Sequence, residues 1–315
     1  MLPRLQSALR AFQASQKAFA LIPDTATAPR KCNTLIILDS SFNPPTIAHM
    51  AMATSALHNL RTQRDIAGRL KGGDAAAAKT SKQQSSDDND GVRLLLLLAV
   101  NNADKAPKPA SFEQRLLLMQ HFAADIQRAW REARAEDAED ELPVDIGLTT
   151  HPYFHDKSAA IAASPEYSFA PSSSEQVFLA GYDTLIRIFN PKYYTAAAEA
   201  PDDRTTTTPM QVALDPFLSR ARLRITMRTD AEWGGRAEQE QFADSLSNGD
   251  ELERVGGRRE WATRVELVEG VEGSDGLVLS STETRAAVEK EDWERLRRLV
   301  SPGVAGAIER KEVEW

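Results

Sequence analysis

The chain has 315 residues, 42% of them hydrophobic and 27% charged, an ordinary globular composition with enough length for a sizeable core. A net charge of −8 argues against a nucleic-acid partner, because a phosphate backbone demands a basic face. The lone Cys32 excludes an internal disulfide and suits a reducing compartment, and the longest apolar run, residues 94–100, is far short of the roughly 20 residues that span a bilayer. The expectation is a soluble protein, cytoplasmic or nuclear, with no membrane partner.

At the N-terminus, Leu2, Leu5, Leu9, Phe12 and Phe19 recur at approximate helical spacing, with Arg4, Arg10 and Lys17 and no acid before Asp24. That is the pattern of an amphipathic helix laid against the first strand unit, and equally that of a mitochondrial presequence; the packed helix is the favoured reading. Residues 23–29 read as a linker, so residues 1–29 are expected to precede the main domain. Thr34 to Leu38 is a short unbroken apolar run, a strand buried on both faces. The turn Asp39-Ser40-Ser41-Phe42-Asn43-Pro44-Pro45-Thr46 follows, and then a helix expected over Met50–Leu60, its first turn near Thr46 to His49. A buried strand, a turn of small and proline residues and a helix start aim free N–H groups and a positive helix end at one point, which suits an anion.

The run Ser-Phe-Asn-Pro-Pro-Thr-x-x-His resembles the signature of the adenylyltransferases that join ATP to nicotinamide mononucleotide, within the larger HxGH nucleotidyltransferase superfamily. It differs from the common pattern in Ala48, where glycine is usual, and in Ser40, where glycine often stands. The resemblance implies that Thr46 and His49 face the ATP phosphates, with Ser40, Ser41 and Phe42 in the nucleotide-binding turn.

Residues 62–91 are polar, alanine-rich and charge-mixed, and read as a mobile insertion. Val92 to Val100 is a second buried strand, and Lys105 and Lys108 lie just beyond its carboxyl end, the edge where open parallel sheets bind ligands. Ser111-Phe112-Glu113-Gln114 resembles a capping box opening a helix that also carries Arg115, and residues 144–149 read as a third strand. His151 and His155 with Asp156 offer an incomplete metal-ligand set, and Pro152 argues against one helix through both histidines. Gln176 to Ala180 is a fourth strand running into Gly181-Tyr182-Asp183 and a helix, where glycine lets backbone close in and Asp183 either accepts from ribose hydroxyls or caps the helix. The adenylyltransferases that the signature resembles have a Gly-x-Asp at this place, and Asn190 to Tyr194 resembles a further segment of their fungal members. Residues 196–209 read as a loop, 223–227 and 264–268 as two more strands, and 230–257 as a helix with long flanking loops.

Leu279-Ser280-Ser281-Thr282-Glu283-Thr284-Arg285 opens another helix; Ser281 and Thr282 present N–H groups and hydroxyls at its start, with Arg285 one turn later. It is similar to the Ile-Ser-Ser-Thr-x-x-Arg motif that completes the ATP site in the same superfamily. Trp293, Leu296, Leu299, Val304 and Ile308 suit a helical tail packed on the core.

The alternation of strands and helices predicts an α/β fold, a doubly wound parallel sheet with helices on both faces and a C-terminal helical tail, spanning residues 30–310 and Rossmann-like. The resemblance implies transfer of the adenylyl group of ATP to nicotinamide or nicotinate mononucleotide, with Mg²⁺ entering on the ATP. His49, Arg285 and Thr46 would be catalytic; Ser40, Ser41, Phe42, Lys105, Lys108, Gly181, Asp183, Ser281 and Thr282 would bind nucleotide. Better-known members stack the nicotinamide ring on a tryptophan, and Phe112 or Tyr153 is the expected substitute here. Two other readings stay open: an ATP-binding regulatory or scaffold protein, and a nucleotidyltransferase with another acceptor.

Overall fold

The computed structural model of the chain describes residues 2–22, 29–71, 91–100, 110–133, 141–169, 174–197, 207–228, 233–270 and 279–313, with backbone alone at 64–71 and 195–197. It opens with α1 (Leu2–Ala14), β1 (Phe19–Leu21), β2 (Arg30–Cys32) and β3 (Thr34–Asp39). Then come α2 (Ile47–Lys71), β4 (Val92–Ala99), α3 (Phe112–Glu132), β5 (Val144–Thr149), α4 (Phe154–Ala163) and β6 (Tyr167–Phe169). β7 (Glu175–Gly181), α5 (Tyr182–Ile188), a 3-10 segment (Pro191–Ala197), α6 (Pro209–Arg220) and β8 (Ala221–Thr226) follow. The described chain closes with α7 (Arg236–Asn248), α8 (Glu251–Arg254), a second 3-10 segment (Arg259–Arg264), β9 (Val265–Val268), α9 (Ser281–Glu289), α10 (Trp293–Leu299) and α11 (Pro302–Glu309).

One sheet organises these elements, in the order β1-β5-β4-β3-β7-β8-β9. Every neighbouring pair in it is parallel except β1 with β5. β2 and β6 form a separate two-stranded parallel ladder. Ile36 of β3 lies in register with Leu94 on one side and Val177 on the other. The strand order therefore turns back at β3: the chain steps outward to β4 and β5, then returns to β7 and steps outward the other way. Such a reversal opens a crevice at the carboxyl ends of the strands.

Alternation along the strands feeds two cores. Ile36, Leu38, Leu94, Leu96, Leu98, Val177 and Leu179 enter the core shared with α1, α2, α3, α9, α10 and α11. Leu35, Ile37, Leu95, Leu97, Phe178, Leu223 and Ile225 enter the opposite core, shared with α4, α5, α6, α7 and α8. A sheet buried on both faces has no polar strand side, which is why its strands read in the sequence as unbroken apolar runs. The doubly wound sheet with helices on both faces is thus the observed fold, and the helical tail packs through Leu296, Leu299, Val304 and Ile308 as expected.

Several elements differ from the sequence reading. The N-terminal helix buries Leu5, Leu9 and Phe12 but ends at Ala14, and Phe19 belongs to the antiparallel strand β1. Residues before 30 therefore contribute a strand to the main sheet and a helix to its core. α2 does not stop near Leu60 but runs to Lys71, ten residues into the stretch expected to be mobile; residues 72–90 lie outside the described residues. α4 and α6 were not anticipated, although Thr208-Pro209-Met210-Gln211 carries the signal for α6. Thr208 accepts from the Gln211 N–H and Gln211 Oε1 accepts from the Thr208 N–H, each at 3.2 Å, with Pro209 in the first turn. Among the described residues no helix is long and apolar enough to cross a membrane.

Ile36 is fully buried between two parallel neighbours. Ile36→Ala should cost about 2–5 kcal/mol in urea unfolding, whereas Val212→Ala on exposed α6 surface (60% exposed) should stay within about 0.5 kcal/mol. Similar losses at both positions would contradict the central placement of β3.

Candidate active site

A cleft of about 1270 Å³ opens at the carboxyl ends of β3, β4 and β7, where Asp39, Ala99, Val100 and Gly181 line it. The turn from β3 into α2 forms one wall. Phe42 stands at φ 44°, a left-handed conformation that a bulky residue rarely adopts. Its ring is fully buried, 5.8 Å from the His49 ring and 6.4 Å from Phe122, and this packing holds the strained turn. Phe42 of the expected nucleotide-binding turn thus shapes the wall from behind, and its buried side chain does not line the cleft. A cis peptide joins Asn43 to Pro44.

His49 is pinned at the start of α2. Its Nδ1 is 3.0 Å from the Thr46 backbone nitrogen and 2.8 Å from Thr46 Oγ1, and its Nε2 is 2.9 Å from Ser40 Oγ. A backbone N–H can only donate, so Nδ1 accepts and the neutral ring carries its proton on Nε2, donated to Ser40. Burial pushes the imidazole pKa down to about 4, leaving the ring neutral near pH 7.

The opposite wall is the start of α9, brought from 240 residues away in sequence. Ser280 caps the helix by accepting from the Glu283 N–H at 3.1 Å. Ser281 Oγ donates to the Pro44 carbonyl at 2.9 Å; Arg285 Nη1 donates to the Asn43 carbonyl at 2.8 Å and Nη2 to Thr282 Oγ1 at 3.1 Å. The two motifs are therefore bonded directly to one another. Arg115 joins them from α3, where Gln114 Oε1 accepts from the Ser111 N–H at 3.0 Å as the capping-box reading required. Its Nε donates to the Ala110 carbonyl at 2.9 Å, and burial followed by the neighbouring Arg285 charge lowers its pKa. Two guanidinium groups held near one another repel, and an anion between them would relieve that repulsion.

At the β7 end, Gly181 rather than Asp183 stands at the cap position of α5, so the capping alternative for Asp183 does not hold. The Asp183 carboxylate lies in the first turn, 3.6 Å from Arg228 and 4.0 Å from Arg187. A Cβ at position 181 would sit 2.8 Å from Asp183 Oδ1, so glycine leaves room for the carboxylate. Of the other residues expected here, Ser40, Ser41, Thr46, His49, Ser281, Thr282 and Arg285 all line the cleft. Lys105 and Lys108 lie outside the described residues.

Two features escaped the sequence reading. Tyr153 stacks on His155 with centroids 5.6 Å apart and planes at 7°, and His155 meets Tyr194 at 5.7 Å, making an aromatic wall that Tyr153 alone only hinted at. Helix α4 begins after Pro152, as that proline demanded, so His151 and His155 do not share a helix. Lys157 of α4 forms an ion pair with Asp39, and both line the cleft. No local pattern connects residues 118 apart, so only the fold reveals this pair.

No protein-family model matches the chain. It is 27% identical over 274 residues to a Schizosaccharomyces pombe protein named "Putative nicotinamide mononucleotide adenylyltransferase", covering 87% of this chain and 83% of the relative. Among solved structures, the Plasmodium falciparum nicotinic acid mononucleotide adenylyltransferase complexed with NaAD is 13% identical, covering 88% of this chain and 96% of the other at a TM-score of 0.42. Thermotoga maritima TmcAL bound with alpha-thio ATP is also 13% identical, at a TM-score of 0.36 over 89% of this chain and 55% of the other. Neither TM-score is high enough to bear on the role of any residue.

The His49 environment has a measurable consequence. Between its folded value of about 4 and the ordinary value of about 6.5, the unfolded chain binds more protons than the folded one. The His49 contribution to stability is thus complete above pH 6.5 and is lost as pH falls through that window. Histidine NMR should show His49 titrating near 4 in the ligand-free protein, with the value rising when a nucleoside triphosphate is added. Titration at an ordinary histidine pKa would show that the ring is solvated rather than enclosed.

Proposed function

We propose that this chain is a nicotinamide mononucleotide adenylyltransferase, which transfers the adenylyl group of ATP to a nicotinamide-type mononucleotide and releases pyrophosphate. The observation that carries the reading is the direct bonding of the α9 start to the turn after β3, which gathers Thr46, His49, Ser281, Thr282, Arg285 and Arg115 on one cleft. Positive helix ends, hydroxyls and two guanidinium groups in one place suit a triphosphate. The similarity to the yeast relative over most of both chains supports the same reaction.

In the reaction a 5′-phosphate oxygen of the mononucleotide attacks the α-phosphorus of ATP. The new phosphorus–oxygen bond forms as the bond from the α-phosphorus to its bridging oxygen breaks, and pyrophosphate carries away the electron pair. Such a transfer needs little covalent help from the protein, so positioning and charge stabilisation dominate. Arg285 and Arg115 hold the triphosphate, with Ser281 and Thr282 donating to it. His49, held neutral by the Thr46 N–H on its Nδ1, has its one N–H on Nε2 to donate to the phosphates, and so stabilises charge on the leaving group. Thr46 and Ser40 keep the ring in its tautomer and orientation. Asp183, beyond the phosphates, accepts from ribose hydroxyls.

Mg²⁺ would enter on the ATP. Among the described residues no three His, Cys, Asp or Glu side chains gather as a ligand set, and the cleft carboxylates Asp39 and Asp183 face cationic partners. Its ligands would be phosphate oxygens and water, and it would neutralise charge on the triphosphate.

The deciding assay follows pyrophosphate release from Mg-ATP with and without nicotinamide mononucleotide, alongside formation of NAD. Release that needs the mononucleotide and matches NAD is expected; hydrolysis indifferent to it would overturn the assignment in favour of an ATP-binding protein of another kind. His49→Ala should lower turnover on the order of a hundredfold or more, and an unchanged rate would remove His49 from the chemistry.

A further inference from the structure

Asp39 and Lys157 make a polar feature of the cleft that phosphate transfer does not use. Asp39 ends β3, and Lys157 comes from α4, the helix that starts beside Tyr153 and carries His155. Their side chains are only 8% and 5% exposed, yet both line the cleft. Lys157 Nζ donates to Asp39 Oδ2 and lies 5.4 Å from the centroid of the Phe154 ring. An ammonium has three N–H groups and a carboxylate about four acceptor positions. Among the described residues these two make only that one hydrogen bond. The remaining donor and acceptor positions belong to side chains that line the cleft, where a ligand can take them up in place of water.

The pair offers a donor and an acceptor side by side, on the same cleft as the aromatic wall of Tyr153, His155 and Tyr194. A carboxamide is the complement of that edge: its oxygen accepts from Lys157 while its N–H₂ donates to the open oxygen of Asp39. A carboxylate can only accept, so it satisfies Lys157 but sets its own charge against that of Asp39, and repulsion of this kind is how a site rejects a near-identical ligand. The pyridinium ring of the acceptor is cationic and planar, which suits both the neighbouring carboxylate and the aromatic wall.

We infer that Asp39 and Lys157 read the ring substituent of the acceptor, selecting the carboxamide of nicotinamide mononucleotide over the carboxylate of nicotinate mononucleotide. This rests on the transferase reading. The test compares kcat/KM for the two mononucleotides at saturating Mg-ATP. The wild-type protein should favour the carboxamide about tenfold or more. Asp39→Asn, which presents an N–H₂ in place of a carboxylate oxygen, should cut that ratio at least about tenfold, chiefly by improving the nicotinate substrate. Should Asp39→Asn fail to fold with Lys157 left as a lone buried charge, the double variant Asp39→Asn/Lys157→Gln keeps a neutral hydrogen bond across the floor and should likewise lose the discrimination. A wild-type preference for nicotinate, or an unmoved ratio in the folded variants, overturns the selection while leaving the transferase intact. No dinucleotide from either acceptor overturns the transferase reading and this inference with it.

Discussion

β3 pairs in parallel with β4 on one side and β7 on the other, and the geometry of the cleft follows from that double pairing. Parallel neighbours require crossovers over the sheet faces. The helices that make them cover both sides and leave only the strand ends open to ligand. With the chain stepping outward in opposite directions from β3, the helices diverge at its carboxyl end. Asp39, Ser40 and Ser41 emerge there and line the cleft.

Closing that crevice falls to two backbone carbonyls. Those of Asn43 and Pro44 accept from Arg285 and Ser281, so the turn that follows β3 and the helix that begins at residue 281 hold one another in place. The same contacts place the guanidinium of Arg285 where its charge adds to burial in lowering the Arg115 pKa. Local strain at Phe42 is sustained by a fully buried ring wedged between His49 and Phe122, and this ring in turn limits how His49 can move. The site thus combines unfavourable items, two neighbouring cations and a left-handed phenylalanine, that a surrounding close-packed core is rigid enough to support. A bound polyanion would relieve the first of these, which is the physical reason for proposing the cleft as a phosphate site.

The other end of the cleft is built differently. Its elements come from α4 and the 3-10 segment after α5, and its chemistry is aromatic stacking beside one ion pair. The Asp39–Lys157 pair ties this wall to the same strand that runs into the turn before α2, so both ends of the cleft are referenced to β3. A buried pair of this kind is weak support for stability in itself, and its position at the cleft makes a recognition role the stronger account.

How much of this could be read without the fold depends on whether the determining interactions are local. Thr34 to Leu38, Leu94 to Leu98 and Gln176 to Ala180 announce strands buried on both faces because a sheet covered by helices on each side tolerates no polar alternation. The capping residues Ser111 and Ser280, the turn after β3, and the Gly181 to Asp183 turn also announce themselves, because each meets a backbone requirement within a few residues. What local pattern could not convey is pairing across the sheet. Phe19 continues an apolar spacing that suits a helix, and only the free edge of β5 makes it a strand. Thr62 to Lys71 has too little apolar surface to announce a helix, yet it continues one already nucleated and packed at Ala53, Ala56 and Leu57. The amino-acid sequence by itself determined the strand and helix alphabet and the two motifs that meet across the cleft, because those depend on neighbours in the chain. The tertiary structure decided that Arg285 reaches the Asn43 carbonyl and that Lys157 meets Asp39, because such contacts are made between surfaces that touch only once the sheet has closed.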